Sequence, residues 1–305
     1  MTAHFNPAGY GRLRENYAFF AERLAAQGVD LWTVEVAFGA EPHALPAHER
    51  CLQLRTDSVL WLKERALNVL LARLPSAYDA VAWLDADILF DDNIWTEDAR
   101  ALLGEAPVIQ CFGAVTHLTR ERRHTGRMIP SVARAWQEDG PTDDLRFAPG
   151  FAWAARRELL AKHGLYDAHV LGANDRLLAI ALLNGGEHPY LLSNMNQAMR
   201  EHFACWARAI HADILGRVGC LDGTIRHLWH GRLDERNYLE RNRILIDAAF
   251  DPSADIATGP DGLWRWTSPK ERLHSEVLRY FLNRNEDGND PTNIASVKHM
   301  SLVAV

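Results

Sequence analysis

VAWLDADILFDDN, residues 81–93, runs four apolar residues into Asp85-Ala-Asp87 and resumes an apolar run at once, Ile88 to Phe90. This reads as a buried strand with two carboxylates at its end. Side chains alternate faces along a strand, so Asp85 and Asp87 are expected on one face and Ala86 on the other. At the carboxyl end of a parallel strand they would meet in the crevice where open α/β sheets bind ligands. Two ionised carboxylates that close repel unless a cation joins them or one takes a proton. A divalent cation, Mn²⁺ or Mg²⁺, with substrate phosphates on its far side resolves the conflict. The plainer alternative is a strand-end turn with an Asp helix cap.

The flanks supply the fold class. A helix is expected from about Leu13 with Tyr17, Phe20 and Leu24 as its apolar stripe, stopped by Gly28. DLWTVEVAFG reads as a strand closed by Gly39, and CLQLR as a short strand. SVLWLKERALNVLLARL reads as a helix with Ser58 as N-cap and Leu60, Lys63, Leu67, Leu70 and Leu74 along one side. DAVAWLDA and VIQCFGAV follow as strands. Only MTAHF precedes the loop NPAGYG, so the first strand must be very short. This β-α-β alternation predicts an α/β protein with a mixed, mainly parallel sheet flanked by helices.

Beyond residue 110 the pattern is less regular. Residues 116–145 have weak periodicity, Gly and Pro breaks and the cluster Arg120, Arg122, Arg123 and Arg127. They read as a mobile loop with one short helix, able to close over a diphosphate or simply to be a solvated charged loop. FAPGFAWAARRELLAKHG predicts a strand and a helix, NDRLLAIALLNGG a helix ended by Gly185, NQAMREHFACWARAIHADIL a longer helix, and GTIRHLWHG a strand. Two helical segments, Asp234 to Phe250 and Pro269 to Arg284, make a C-terminal helical extension, with a frayed polar tail from Asn285. The division expected is 1–110, 111–232 and 233–305 for the extension.

Composition narrows the classes. The chain has 305 residues, 48% apolar and 24% charged, and a net charge of −7, which argues against general nucleic-acid binding. Four dispersed cysteines, Cys51, Cys111, Cys205 and Cys220, form no CxxC pair and are expected to be reduced thiols. No apolar run reaches the roughly 18 residues of a membrane span. The opening residues lack the basic start and apolar stretch of a signal peptide, so a cytoplasmic location is expected.

KERALNVLLARLPSAYDAVAWLDADILF resembles the stretch ahead of the metal-binding D-x-D of GT-A fold glycosyltransferases. It is similar in particular to the RA-x-x-LN helix of the inverting beta-1,4-galactosyltransferase type. The resemblance implies that Arg65 and Asn68 face a nucleotide, that Asp85 lies near ribose and metal, and that Asp87 is a metal ligand. It also implies nucleotide binding for residues 1–110 and acceptor binding and catalysis for 111–232. GANDRLLAIAL stands where the family has a glycine loop ending in acids at a helix start. Asn174 and Asp175 occupy that place, with Asp175 as the general base toward an acceptor hydroxyl and a helix N-cap as its plainer role. TIRHLWHGR resembles the strand that brings a histidine to the metal. His227 and His230 are three apart and would face opposite ways in a strand, so one ligand is expected, with His230 preferred because Gly231 allows close approach.

Thr2, Phe5, Asn6 and Glu35 are further candidates for the nucleotide rim. Glu35 sits between Val34 and Val36 and needs a partner: the ligand, Lys63 or an arginine. Trp153 offers a flat face for an acceptor sugar. The implied activity is transfer of a hexose from a nucleoside diphosphate sugar, UDP by resemblance, to a glycan or other hydroxyl-bearing acceptor. The rivals are a retaining glycosyltransferase, a sugar-1-phosphate nucleotidyltransferase, and a catalytically silent sugar-binding or scaffold protein.

Overall fold

A computed structural model of the chain describes residues 1–140, 146–232, 234–237 and 240–288. The first half runs β1 (Thr2–Phe5), α1 (Gly11–Ala26), β2 (Thr33–Phe38), β3 (Cys51–Thr56), α2 (Lys63–Leu71), β4 (Ala80–Leu84), β5 (Ile88–Phe90), α3 (Trp95–Leu103) and β6 (Val108–Gln110). The second runs β7 (Ala114–Leu118), β8 (His124–Pro130), α4 (Val132–Asp139), β9 (Ala152–Arg156), α5 (Arg157–His163), α6 (Asn174–Asn184), α7 (Pro189–Asn194), α8 (Gln197–Ile214), β10 (Val218–Cys220) and β11 (Thr224–His227). After a 3-10 turn at Asp234–Arg236 come α9 (Arg241–Asp247), α10 (Pro252–Asp255), β12 (Ile256–Thr258), β13 (Trp264–Trp266) and α11 (Glu271–Leu282).

The fold is α/β, with several sheets of mixed direction and helices packed against them. Strands β1, β2 and β3 are parallel neighbours, whereas β9 lies antiparallel between β4 and β6, and β10 extends β6 in parallel. The Leu84 amide donates to the Met1 carbonyl at 3.0 Å, and the Thr2 hydroxyl donates to the Leu84 carbonyl at 2.8 Å. These bonds set β1 beside β4. A third sheet, in the order β5-β11-β7-β8, pairs β11 in parallel with β7 and antiparallel with β5. A mainly parallel arrangement is therefore not what forms. Antiparallel pairings interrupt it at β9 and through β5, β8 and the β12–β13 hairpin.

Period-two alternation explains the layering. Val81 and Trp83 of β4, and Trp153 and Ala155 of β9, enter one core with Leu67 and Leu70 of α2, Leu177 of α6, Phe203 of α8, and Leu273 and Phe281 of α11. Leu84, Ala152 and Ala154 enter a second core with Phe20 and Leu24 of α1 and Trp95 and Leu103 of α3. The expected stripe of α1 is buried as read.

Four local expectations change. Ser58 caps no helix: α2 starts at Lys63, and the chain before it is held where the Trp61 amide donates to the Val170 carbonyl at 2.9 Å. VIQCFGAV is not one strand, because the chain leaves β6 after Gln110 and re-pairs as β7. The arginine-rich segment forms the β7–β8 hairpin before α4; Arg122 stacks on Phe19 at 4.0 Å and Arg120 on Trp229 at 5.2 Å. The C-terminal part is not purely helical, since β12 and β13 pair within it; Asn285 to Gly288 are anchored rather than frayed, and the rest of that tail, 289–305, lies outside the described residues. Among the described residues no helix is long and apolar enough to cross a membrane.

Candidate functional site

A cavity of about 730 Å³ opens where β1, β4, β11, α6 and α11 converge. Phe5, Asn6, Trp61, Lys63, Asp85, Asp87, Asp175, His227 and His230 line it. Two polar clusters face each other across it.

The first is built on Lys63, the first residue of α2. Its ammonium lies 2.6 Å from Asp85 Oδ1, 2.9 Å from Asp175 Oδ1 and 3.7 Å from Glu64 Oε1. Burial works against the lysine charge, but Asp175, Asp85 and Glu64 outweigh it and hold its pKa well above the ordinary value. Burial pushes the Asp85 carboxyl upward, against the pull of Lys63 and with the help of Asp175 and Asp87. Asp175 lies in the first turn of α6 and is not its cap; the N-cap is Ala173, at φ 70°, with no side-chain bond. Gly150 makes room for it, since a Cβ there would fall 2.9 Å from the Asp175 carboxyl carbon. Phe151 beside it has φ 73°. Phe151 and Ala173 both line the cavity, and such backbone costs are concentrated at working sites.

The second cluster is built on Asp87. β4 ends at Leu84, so Asp85-Ala86-Asp87 is a turn into β5 and not a continuing strand. The two carboxylates consequently part, Asp85 toward Lys63 and Asp87 toward two histidines. His227 ends β11, and the chain then turns and brings His230 back. Both imidazoles therefore converge, where a continuous strand would have opposed them. His230 Nε2 lies 3.0 Å and His227 Nε2 3.6 Å from Asp87 Oδ2, and the two nitrogens are 3.0 Å apart. One donor atom from each of Asp87, His227 and His230 lies within 4.8 Å of the others, which is a grouping able to hold a divalent metal. Burial opposes ionisation of Asp87, but His227 and His230 overcome it and hold its carboxyl well below the usual range. Asp87 Oδ1 is buried with no hydrogen-bond partner. A buried carboxylate oxygen without a partner is costly, and a cation would satisfy it.

Around the rings stand His117, whose Nδ1 meets His227 Nδ1 at 2.9 Å, and Glu286, bonded to His230 Nδ1. Arg236 Nη2 lies 2.9 Å from each ring nitrogen of His230. An atom equidistant from both at that range stands over the ring face, off the in-plane lone pair of Nε2. Arg241 and Arg284 also line the cavity. His117, Arg236, Arg241, Arg284 and Glu286 were not singled out from the sequence. Their only signal was charge: Arg236, Arg241 and Arg284 lay in or at the end of segments read as helical, His117 in a weakly periodic one and Glu286 in the polar tail.

Other expected residues lie elsewhere. Arg65 pairs with Asp167 at 3.3 Å and donates to the Gly262 carbonyl, while Asn68 donates to Asp167 at 2.8 Å and to the Leu165 carbonyl at 2.9 Å. They tie α2 to the segment before α6 and do not face the cavity. Glu35 is partnered within its own neighbourhood by the amides of Ala44 and Leu45, Gln53 and His43, and by neither Lys63 nor an arginine. Trp153 is 1% exposed and donates to the Pro149 carbonyl, so it is core and offers no stacking face. Asn174 is buried and donates to Glu64 at 2.8 Å. Thr2 is buried and bonded to Leu84, whereas Phe5 packs edge-on to Trp61 at 5.2 Å and Asn6 brackets Tyr10.

No model of a known protein family matches the chain, and no curated protein matches it.

Proposed function

We propose that the protein is a metal-dependent, inverting glycosyltransferase of the GT-A type, acting on a nucleoside diphosphate sugar and a hydroxyl-bearing acceptor. The observation that carries the reading is one cavity holding both the Asp87–His227–His230 group and the Lys63-bound pair of Asp85 and Asp175. Two imidazoles and a carboxylate suit Mn²⁺ better than Mg²⁺, which prefers oxygen ligands. Bound there, the cation would offset charge on a departing diphosphate.

The protein's own groups take the remaining tasks. Arg236, Arg241 and Arg284 present guanidinium groups to the same anion from the cavity wall. Asp175 accepts the acceptor's proton, with Lys63 fixing the orientation of its carboxylate through both oxygens, at 2.9 and 3.2 Å. Phe5 and Trp61 give apolar faces to the base or sugar. A second reading follows from the ligand set itself, since two histidines and one carboxylate also suit Fe²⁺ in oxygenases. The arginine-lined wall and the Lys63-bound aspartates favour the transferase.

Titration calorimetry with UDP, with and without Mn²⁺, tests the reading, followed by a turnover screen of nucleotide sugars. UDP binding is expected only with the metal. Asp175→Asn should keep that binding and lose roughly 10²- to 10⁴-fold in turnover. UDP binding that ignores Mn²⁺, or its absence under both conditions, overturns the proposal.

A further inference from the structure

The chain's last described segment returns to the histidine loop and packs against it closely. Gly231 has φ 83°, and a Cβ there would lie 2.5 Å from the Asn285 carbonyl oxygen; one on Gly288 would lie 2.4 Å from the Trp229 ring. Asp287 accepts from the amides of Gly11 and Arg12 at 3.2 and 2.7 Å, and the Asn285 amide donates to the Tyr10 hydroxyl at 3.0 Å. These anchors leave Glu286, 2% exposed, pointed into the site. One of its oxygens meets His230 Nδ1 and the other accepts from Arg284 Nε at 2.5 Å. Arg236 Nη2 stands 3.9 Å away.

A carboxylate that accepts a hydrogen bond from Nδ1–H keeps the ring's proton on that nitrogen and leaves the lone pair of Nε2 for a metal. His230 Nε2 is the atom that faces Asp87 and His227. We propose that Glu286 is the positioning residue that fixes the tautomer and angle of His230 toward the metal. The inference rests on the reading of Asp87, His227 and His230 as metal ligands.

The test measures Mn²⁺ affinity by calorimetry and the bound-metal signal by electron paramagnetic resonance, with thermal melts in the absence of metal. Wild type and Asp87→Ala establish whether the three ligands bind metal, independently of Glu286. Glu286→Gln should melt near wild type without metal, yet bind Mn²⁺ about 10- to 100-fold more weakly with an altered signal, the range for a lost second-layer partner. Asp287→Asn weakens one anchor of the same segment while Glu286 keeps its bonds to His230 and Arg284, and should cost less Mn²⁺ affinity than Glu286→Gln. Unchanged Mn²⁺ affinity in Glu286→Gln overturns the proposal. So does an equal loss in Asp287→Asn, which would mark general loosening. If Glu286→Gln fails to fold, Glu286→Asp gives the same decision: its shorter reach should weaken Mn²⁺ binding, and unaltered binding overturns the role.

Discussion

Asp85 and Asp87 are separated by one residue, and their surroundings are opposites. Asp85 is neutralised from within: Lys63 touches it and also Asp175, so that cluster carries its own cation. Asp87 has two imidazoles and a buried oxygen with no partner. The first arrangement carries a cation from within the fold, though Glu64 Oε1 in it is also buried with no hydrogen-bond partner. The second has imidazoles beside its carboxylate, and a proton on them or a divalent cation would balance it. Both arise because the chain turns after Leu84, which sends neighbouring carboxylates to different partners. Under the proposed transfer, a lysine suits the side that would orient a proton acceptor, and a site for an exchangeable cation suits the side that would meet an anionic ligand.

The sharpest way to break the contrast is Asp87→Ala. The fold should persist, because Asp87 contributes no packing core, while metal-linked nucleotide binding should vanish. The loss should exceed the about 10- to 100-fold cost of changing a residue behind the ligands. Calorimetry with UDP and Mn²⁺ checks it. If Asp87→Ala binds the pair as wild type does, the two clusters do not differ in the way described.

Lys63→Met attacks the other side and should act on stability first. It leaves buried Glu64 and half-buried Asp85 and Asp175 without their shared cation, a change that costs up to about 3–5 kcal/mol. The pH dependence has a definite sign. Burial already pushes Asp85 and Glu64 upward in the intact protein, and removing Lys63 removes the opposing pull. A carboxyl whose folded pKa lies above its unfolded one favours the fold at low pH and loses that favour as pH rises through the folded value. The deficit should therefore be small near pH 5 and grow toward pH 8. Urea unfolding at both values measures it, and a deficit independent of pH would contradict the cluster as described.

The contrast was half legible in the sequence. The unbroken apolar run VAWL marked β4 as a buried strand, and the short apolar runs of β1, β2 and β9 were plain because buried strands need them. Asp87, Asp175, His227 and His230, singled out by their order in the sequence, line one cavity. What could not be read was where regular structure stops. Counting Asp85 and Asp87 as one strand face failed because β4 ends at Leu84. Opposing His227 to His230 failed because β11 ends at His227. Lys63 looked like a member of a leucine stripe, since periodicity records the face of a helix and says nothing of a partner on α6. Glu286 lay in a polar tail with no period at all; its place is set by contacts with residues 229–231 and α1, more than fifty positions distant.

The same limit explains Asn68, and a modest substitution there separates resemblance from geometry. By resemblance it faces a nucleotide. In the fold its amide spans the Leu165 main chain, accepting from the amide at 2.8 Å and donating to the carbonyl at 2.9 Å, and it also donates to Asp167. Gly164, at φ 61°, brings that main chain so close that a Cβ would sit 3.1 Å from Asn68 Oδ1. Asn68→Ala should then cost about 1–3 kcal/mol, because it strands a main-chain amide and a carboxylate that burial already disfavours. UDP affinity in the presence of Mn²⁺ should not move. A variant with wild-type unfolding and weakened nucleotide binding would return Asn68 to the ligand and place the nucleotide against α2 rather than between the two aspartate clusters.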